Sequence, residues 1–279
     1  MRDFVEDVAV LLSYAMQDLP DVEKVDSPMK EVKKDGLIIK NTVYKNPVLR
    51  KMHLELAEIN QMRILHCVLF PDPHYPLPIF GCDIVANDEQ VTAAIVDVSP
   101  VHGVPDNFYS GIREVSNDYH FQHKRPLPLW GDEIFSPYCK FTRLKEEIDI
   151  ANFYCVILHY LTFFKEGVLD SKKDDKWVNT MKRLDEEIDI ANFYCIILHY
   201  LTFFKEGVLE SKKDTFWVNV MKRLDDQIWY CKQQKRNDKT RGILKQWFDE
   251  SYADMYMNEV LFDEPSIKPV PRPSFEGPY

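Results

Sequence analysis

Between residues 37 and 98, short apolar runs alternate with polar or proline-containing breaks. Leu37 to Tyr44, Lys51 to Leu56, Ile64 to Phe70, Ile79 to Ala86 and Val91 to Val98 are β-rich or alternate with period two, and each predicts a strand. The breaks leave no room for crossover helices, so the strands predict a mostly antiparallel sheet. Phe4 to Met16 reads as an N-terminal helix, and the second half of the chain turns to a helical pattern. Together these elements predict an α+β sandwich in which helices pack on the sheet.

The second half is dominated by a repeat. Residues 144–183 and 184–223 align without a gap at a period of 40, differing only at Lys145/Asp185, Val156/Ile196, Asp170/Glu210, Asp175/Thr215, Lys176/Phe216 and Thr180/Val220. A solenoid needs about three units to bury a continuous core, so two copies read as a tandem duplication inside one domain. Each copy predicts two helical segments, the first stopped by Gly167 or Gly207 and the second starting near Trp177 or Trp217. Trp177 to Phe204 holds no glycine or proline and predicts one continuous helix across the junction. Copy two leads directly into Gln227 to Arg241, so it is expected to dock on the domain with copy one as the appendage. Residues 1–264 are expected to form a single domain, and 265–279 a flexible proline-rich tail.

Composition narrows the chemistry. The 279 residues are 45% hydrophobic and 29% charged, ordinary globular usage, and no run of 18 uncharged apolar residues suits a membrane span. The acidic start Met1-Arg2-Asp3-Phe4-Val5-Glu6-Asp7 lacks the pattern of a secretory signal, so a soluble, cytoplasmic protein is expected. The six cysteines form no C-x-x-C pair and read as reduced thiols. No G-x-G-x-x-G or G-x-x-x-x-G-K occurs, so nucleotide and flavin chemistry have no sequence support. A net charge of -10 argues against nucleic acid as a partner. Against that background Lys232, Lys235, Arg236, Lys239, Arg241 and Lys245 form a basic island, either a solvated helix face or a docking surface for an acidic partner.

Four ionisable residues sit inside the apolar strands. Period two puts His53 and Glu55 on one face of their strand, and His66 and Asp83 lie within the next two. Each taken alone is a hydrogen-bonded strand residue. Together they suggest a shared polar site, suited either to a two-histidine-one-carboxylate metal centre or to proton transfer by a histidine and a buried carboxylate of raised pKa. The residues themselves leave both readings open.

At these residues the chain resembles the ferredoxin-dependent bilin reductases. RKMHLEL (50–56), ILHCVLFPDP (64–73), LPIFGCDIVA (77–86), TAAIVDVSP (92–100), LPLWGDEIFSPYC (127–139), KRNDKTRG (235–242) and YMNEVLFD (256–263) recur in that family's order. The resemblance implies reduction of biliverdin IXα by single electrons from reduced ferredoxin and protons from side chains, with no bound metal or organic cofactor. It also implies a three-layer α/β/α sandwich with a central mostly antiparallel sheet, here carrying the extra duplicated helical segment.

The family's acidic residue falls on Asp83, its histidine on His66 and its glutamate on Glu55. That combination implies the four-electron branch that forms phycocyanobilin. A phycoerythrobilin-type product, or bilin binding without turnover, are the competing readings. In this assignment Asp83 and His66 give protons near the pyrrole lactams, Glu55 gives one to the D-ring vinyl group, and His53 supports them on the substrate side. Arg125 and Lys239 meet the propionates, with Thr92 where the family often has serine, and Asn237 and Asp238 belong to the same N-D-K motif. Lys232, Lys235 and Arg236 become the ferredoxin-binding residues. The protein is expected to be a monomer, the extra repeat being its one route to self-association.

Overall fold

The computed structural model describes residues 2–166 and 213–266, apart from positions 18, 20, 28, 105 and 215. Helix α1 (Arg2–Gln17) leads into strands β1 (Glu23–Lys24), β2 (Glu31–Lys34), β3 (Leu37–Lys45), β4 (Leu49–Ile59), β5 (Met62–Pro71), β6 (Ile79–Ala86) and β7 (Val91–Ser99). Helices α2 (Asp106–Asp118) and α3 (Leu129–Asp132), strand β8 (Lys140–Leu144) and helix α4 (Glu147–Glu166) follow. The described C-terminal part holds α5 (Trp217–Gln234), α6 (Asp238–Trp247), α7 (Glu250–Met255) and a π-helical turn, Tyr256–Leu261. All five predicted strands are present. The strand order is β1-β3-β4-β5-β6-β7-β8 with β2 also paired to β3, and every pairing is antiparallel.

The three further strands carry no apolar alternation to announce them. β2 reads Glu-Val-Lys-Lys, and its lysines suit a strand that must not invite another chain to pair. It joins β3 through Asp35 and Gly36, at φ 45° and 94°, the left-handed pair that a two-residue hairpin turn requires. In β8 the inward positions include Lys140 and Thr142, both buried. Lys140 reaches the carbonyl oxygens of Ser116 and Tyr119, which satisfies its ammonium at the end of α2.

Two cores follow from the period of two. On one face Met52, Leu54, Leu65, Cys67, Phe80, Cys82, Ile84, Ala94 and Val96 pack against α1, α2 and α4. The other face sets Ala57, Ile59, Val68, Phe70 and Ile79 against Tyr230, Leu244, Ala253, Tyr256 and Leu261 of the C-terminal helices. Helix, sheet and helix therefore form three layers.

Helix α4 is the first segment of copy one, and its Phe153, Val156, Ile157 and Tyr160 are fully buried. This corrects the expectation that copy one is the appendage. The docked pair is α4 from copy one and α5, whose first turns, Trp217 to Arg223, come from copy two. The continuous helix predicted across Trp177 to Phe204 lies outside the described residues, as does the tail from 267 onward.

Helix α5 is keyed to the sheet by polar residues. Arg223, 1% exposed, donates from Nε to the Pro73 carbonyl at 2.6 Å and from Nη2 to Asp214 Oδ2 at 2.8 Å. One turn on, Gln227 donates to the Pro71 carbonyl at 2.9 Å and accepts from Arg50 Nε at 3.0 Å. Deleting 167–206 keeps α4 and α5 and shortens their connection from 50 residues to 10. Closing the shorter connection is cheaper by about 1.4 kcal/mol, so the deletion variant is expected to fold and to melt no lower than the parent. Failure to fold in a circular-dichroism melt would make the intervening segment integral.

Candidate active site

Antiparallel register turns scattered residues into a row. Asn41 pairs with Glu55, Glu55 with His66 and His66 with Asp83, so four neighbouring strands put these side chains side by side on the face covered by the C-terminal helices. His53 stands one position along the same face, its ring 5.8 Å from that of His66 at an interplanar angle of 72°. Phe262 meets the His66 ring edge-on at 5.5 Å. The structure brings together the four residues that the strand pattern singled out.

Their hydrogen bonds separate two roles. His66 Nδ1 lies 2.5 Å from Asp83 Oδ1. Burial disfavours the imidazolium, but the touching Asp83 carboxylate and nearby Glu55 outweigh it and hold His66 above the usual histidine range. His53 goes the other way. It is fully buried, and burial together with the charges of Lys51 and His66 drives it well below that range, so it stays neutral. Its Nε2 lies 2.8 Å from Asn41 Oδ1, and because the Asn41 amide group donates elsewhere, Nε2 carries the proton. Burial raises Glu55 above the ordinary carboxylate value, while His66 and a hydrogen bond from Tyr256 hold it back in part. His53 Nδ1 and His66 Nε2 are buried without a protein partner.

Among the described residues, no group of three His, Cys, Asp or Glu side chains converges as metal ligands. What the row can do is hold and release protons.

Beside it the sheet is only partly covered. On β5, β6 and β7, Ile64, His66, Asp83, Val85, Ala93 and Ile95 are all partly buried, whereas alternate residues on the opposite face are fully buried. The result is an apolar strip next to proton-bearing groups, the kind of surface that takes a flat hydrophobic ligand. Arg125 closes one side, its guanidinium 4.9 Å from the Phe141 ring centroid and bonded to the Thr92 carbonyl at 3.1 Å. Thr92 Oγ1 donates to the Val85 carbonyl at 3.0 Å. Toward the β4–β5 turn, Ile59, Met62, Asn87, Ile243, Gln246 and Trp247 line a cleft of about 320 Å³.

Other predicted residues are placed less simply. Asn237 caps α6, accepting from the backbone of Lys239 and Thr240. Asp238 and Lys239 are exposed. The basic island is largely compensated: Lys235 pairs with Glu264 at 3.1 Å, Arg236 with Glu133 at 3.5 Å, Arg241 with Asp254 at 3.1 Å, and Lys245 with Glu250. Lys232 and Lys239 have no carboxylate partner among the described residues. Asn41 and Tyr256 escaped the sequence reading. Tyr256 lies in the YMNEVLFD segment, 215 residues from Asn41, and only the fold reveals their contact.

The chain belongs to the ferredoxin-dependent bilin reductase family, whose model matches residues 14–263. A phycocyanobilin:ferredoxin oxidoreductase of Prochlorococcus marinus is 33% identical over 274 residues, covering 95% of this chain and 88% of its own. Its counterpart in Gloeobacter violaceus is 37% identical over 234 residues, covering 83% and 76%. Among solved structures, tomato phytochromobilin synthase in complex with biliverdin has the same fold, with a TM-score of 0.62 at 15% identity over 93% of this chain and 82% of that one. Among the described residues no helix is long and apolar enough to cross a membrane.

Proposed function

We propose that this protein reduces biliverdin IXα to phycocyanobilin, taking four electrons singly from reduced ferredoxin and four protons through its own side chains, without a resident cofactor. The observation that carries the reading is the row Glu55, His66, Asp83 beside the partly buried apolar strip of β5 to β7. Each electron makes a conjugated bilin more basic, and an acid held at the right atom completes a reduction that would otherwise reverse. In this reading the Asp83–His66 pair, 2.5 Å apart, gives a proton near the lactams. Glu55, its pKa raised by burial, serves the vinyl group.

Arg125 and Lys239 bind the propionates in this reading, Thr92 lies beside Arg125, and Asn237 and Asp238 set the first turn of α6, which carries Lys239. His53 braces the row through Asn41. Lys232, Lys235 and Arg236 form the ferredoxin side, where exposed charge steers an acidic partner most strongly at low salt. The test is anaerobic turnover of biliverdin with reduced ferredoxin, followed by absorption and chromatography at low and high salt. Phycocyanobilin formed faster at low salt supports the reading. A different end product corrects the regiochemistry, and bound biliverdin that is never reduced overturns it.

A further inference from the structure

Glu55 is gripped from the helix layer. Tyr256, 1% exposed, brings its phenol to 2.5 Å from Glu55 Oε2, closer than the 3.2 Å to Asn41 Oδ1. Asn41 Nδ2 donates to the phenol oxygen at 2.8 Å, which leaves the phenolic proton for Glu55. The ring is fixed by stacking: Tyr256 lies on Tyr252 at 6.0 Å and Tyr252 on Phe248 at 4.1 Å. Tyr256 also opens the π-helical turn, a feature frequent at functional sites. β4 pins the far end of that turn, with Lys51 Nζ bonded to the Val260 carbonyl at 2.7 Å and the Leu261 carbonyl at 3.3 Å, and Arg50 bonded to Asp263 at 3.0 Å. One strand thus holds both Glu55 and the element that aims Tyr256 at it.

We propose that Tyr256 is the positioning residue of Glu55: its phenol fixes one carboxyl oxygen and stabilises the carboxylate left after Glu55 has given its proton away. This rests on the reading of Glu55 as donor to the vinyl group. In that step an electron from reduced ferredoxin enters the bilin, the Glu55 O–H bond breaks and a C–H bond forms at the vinyl carbon. Ferredoxin is left oxidised and Glu55 anionic. Tyr256 then donates to that anion. Burial and the neighbouring Glu55 raise the phenol above the usual tyrosine value, so it remains a donor throughout. The other groups facing Glu55 are His66 and Asp83 on β5 and β6, His53 on its own strand, Asn41 on β3 and Tyr252 on α7.

The test compares wild type, Glu55→Gln and Tyr256→Phe for the share of product whose vinyl group is reduced, across pH. Tyr256→Phe is expected to lower that share roughly 10-fold at neutral pH through lost alignment. Losing a hydrogen bond to a charged group also raises the Glu55 pKa, so the alkaline limb moves up by about one to two pH units. The infrared carbonyl band of protonated Glu55, assigned by its absence in Glu55→Gln, should titrate with the same upward shift. A slower step with an unmoved limb, or wild-type behaviour of Tyr256→Phe while Glu55→Gln loses vinyl reduction, overturns the role of Tyr256 alone. Intact vinyl reduction in Glu55→Gln overturns the donor assignment first and this inference with it. Should Tyr256→Phe not fold, the wild-type band decides: a hydrogen-bonded acid frequency supports the proposal and a free-acid frequency refutes it.

Discussion

Replacing Asp83 with asparagine is expected to lower anaerobic bilin reduction by about 100- to 10,000-fold, the range that general acid catalysis supplies. The size of the effect follows from the pair. Asparagine keeps the shape of the side chain but has no transferable proton. It also removes the carboxylate that raises His66 against the opposing effect of burial, so the His66 pKa is expected to fall. One substitution therefore disables two groups. Binding should survive, because the apolar strip formed by Ile64, Val85, Ala93 and Ile95 is untouched, and biliverdin affinity is expected to stay within about threefold of wild type. Turnover within tenfold of wild type would remove Asp83 from the mechanism.

Arg223→Ala is expected to cost about 1–3 kcal/mol of stability, the usual consequence of leaving a buried hydrogen-bond acceptor without its donor. Arg223 is 1% exposed and is spent on the partly exposed Asp214 and on the carbonyls of Pro73 and His102, of which the Pro73 contact is buried. The loss falls on the seating of α5 against the loop after β5. A denaturant midpoint shift equivalent to less than about 1 kcal/mol would mean that Gln227 and its bond to Pro71 hold the helix unaided.

The strands that carry the site were legible because a half-buried strand must alternate, and His53, Glu55, His66 and Asp83 stand out as charges inside that alternation. Their register was less so. A two-residue connection, Asn60 and Gln61 with Asn60 at φ 54°, pairs Ile59 with Met62 and thereby sets Glu55 opposite His66, and one residue more would turn the row to the other face. Which repeat docks could not be read at all. Residues 153–161 and 193–201 differ only at Val156/Ile196, so the two segments offer the sheet almost the same apolar surface. Nor could the compensation of the basic island be foreseen, since Glu133 and Glu264 approach Arg236 and Lys235 from distant parts of the chain. Tyr256 was hidden for a similar reason: an aromatic in a C-terminal helical segment reads as core, and becomes a partner of Glu55 only when that segment is laid across the sheet.

Electron counting tests the central claim most directly. With a limiting amount of biliverdin, excess reduced ferredoxin and no oxygen, the ferredoxin oxidised is measured against the bilin consumed, and the product is identified by chromatography. The account predicts four equivalents of ferredoxin oxidised for each biliverdin and phycocyanobilin as the product, with two equivalents and a vinyl-retaining bilin from Glu55→Gln. Ferredoxin that stays reduced in the presence of bound biliverdin would contradict it.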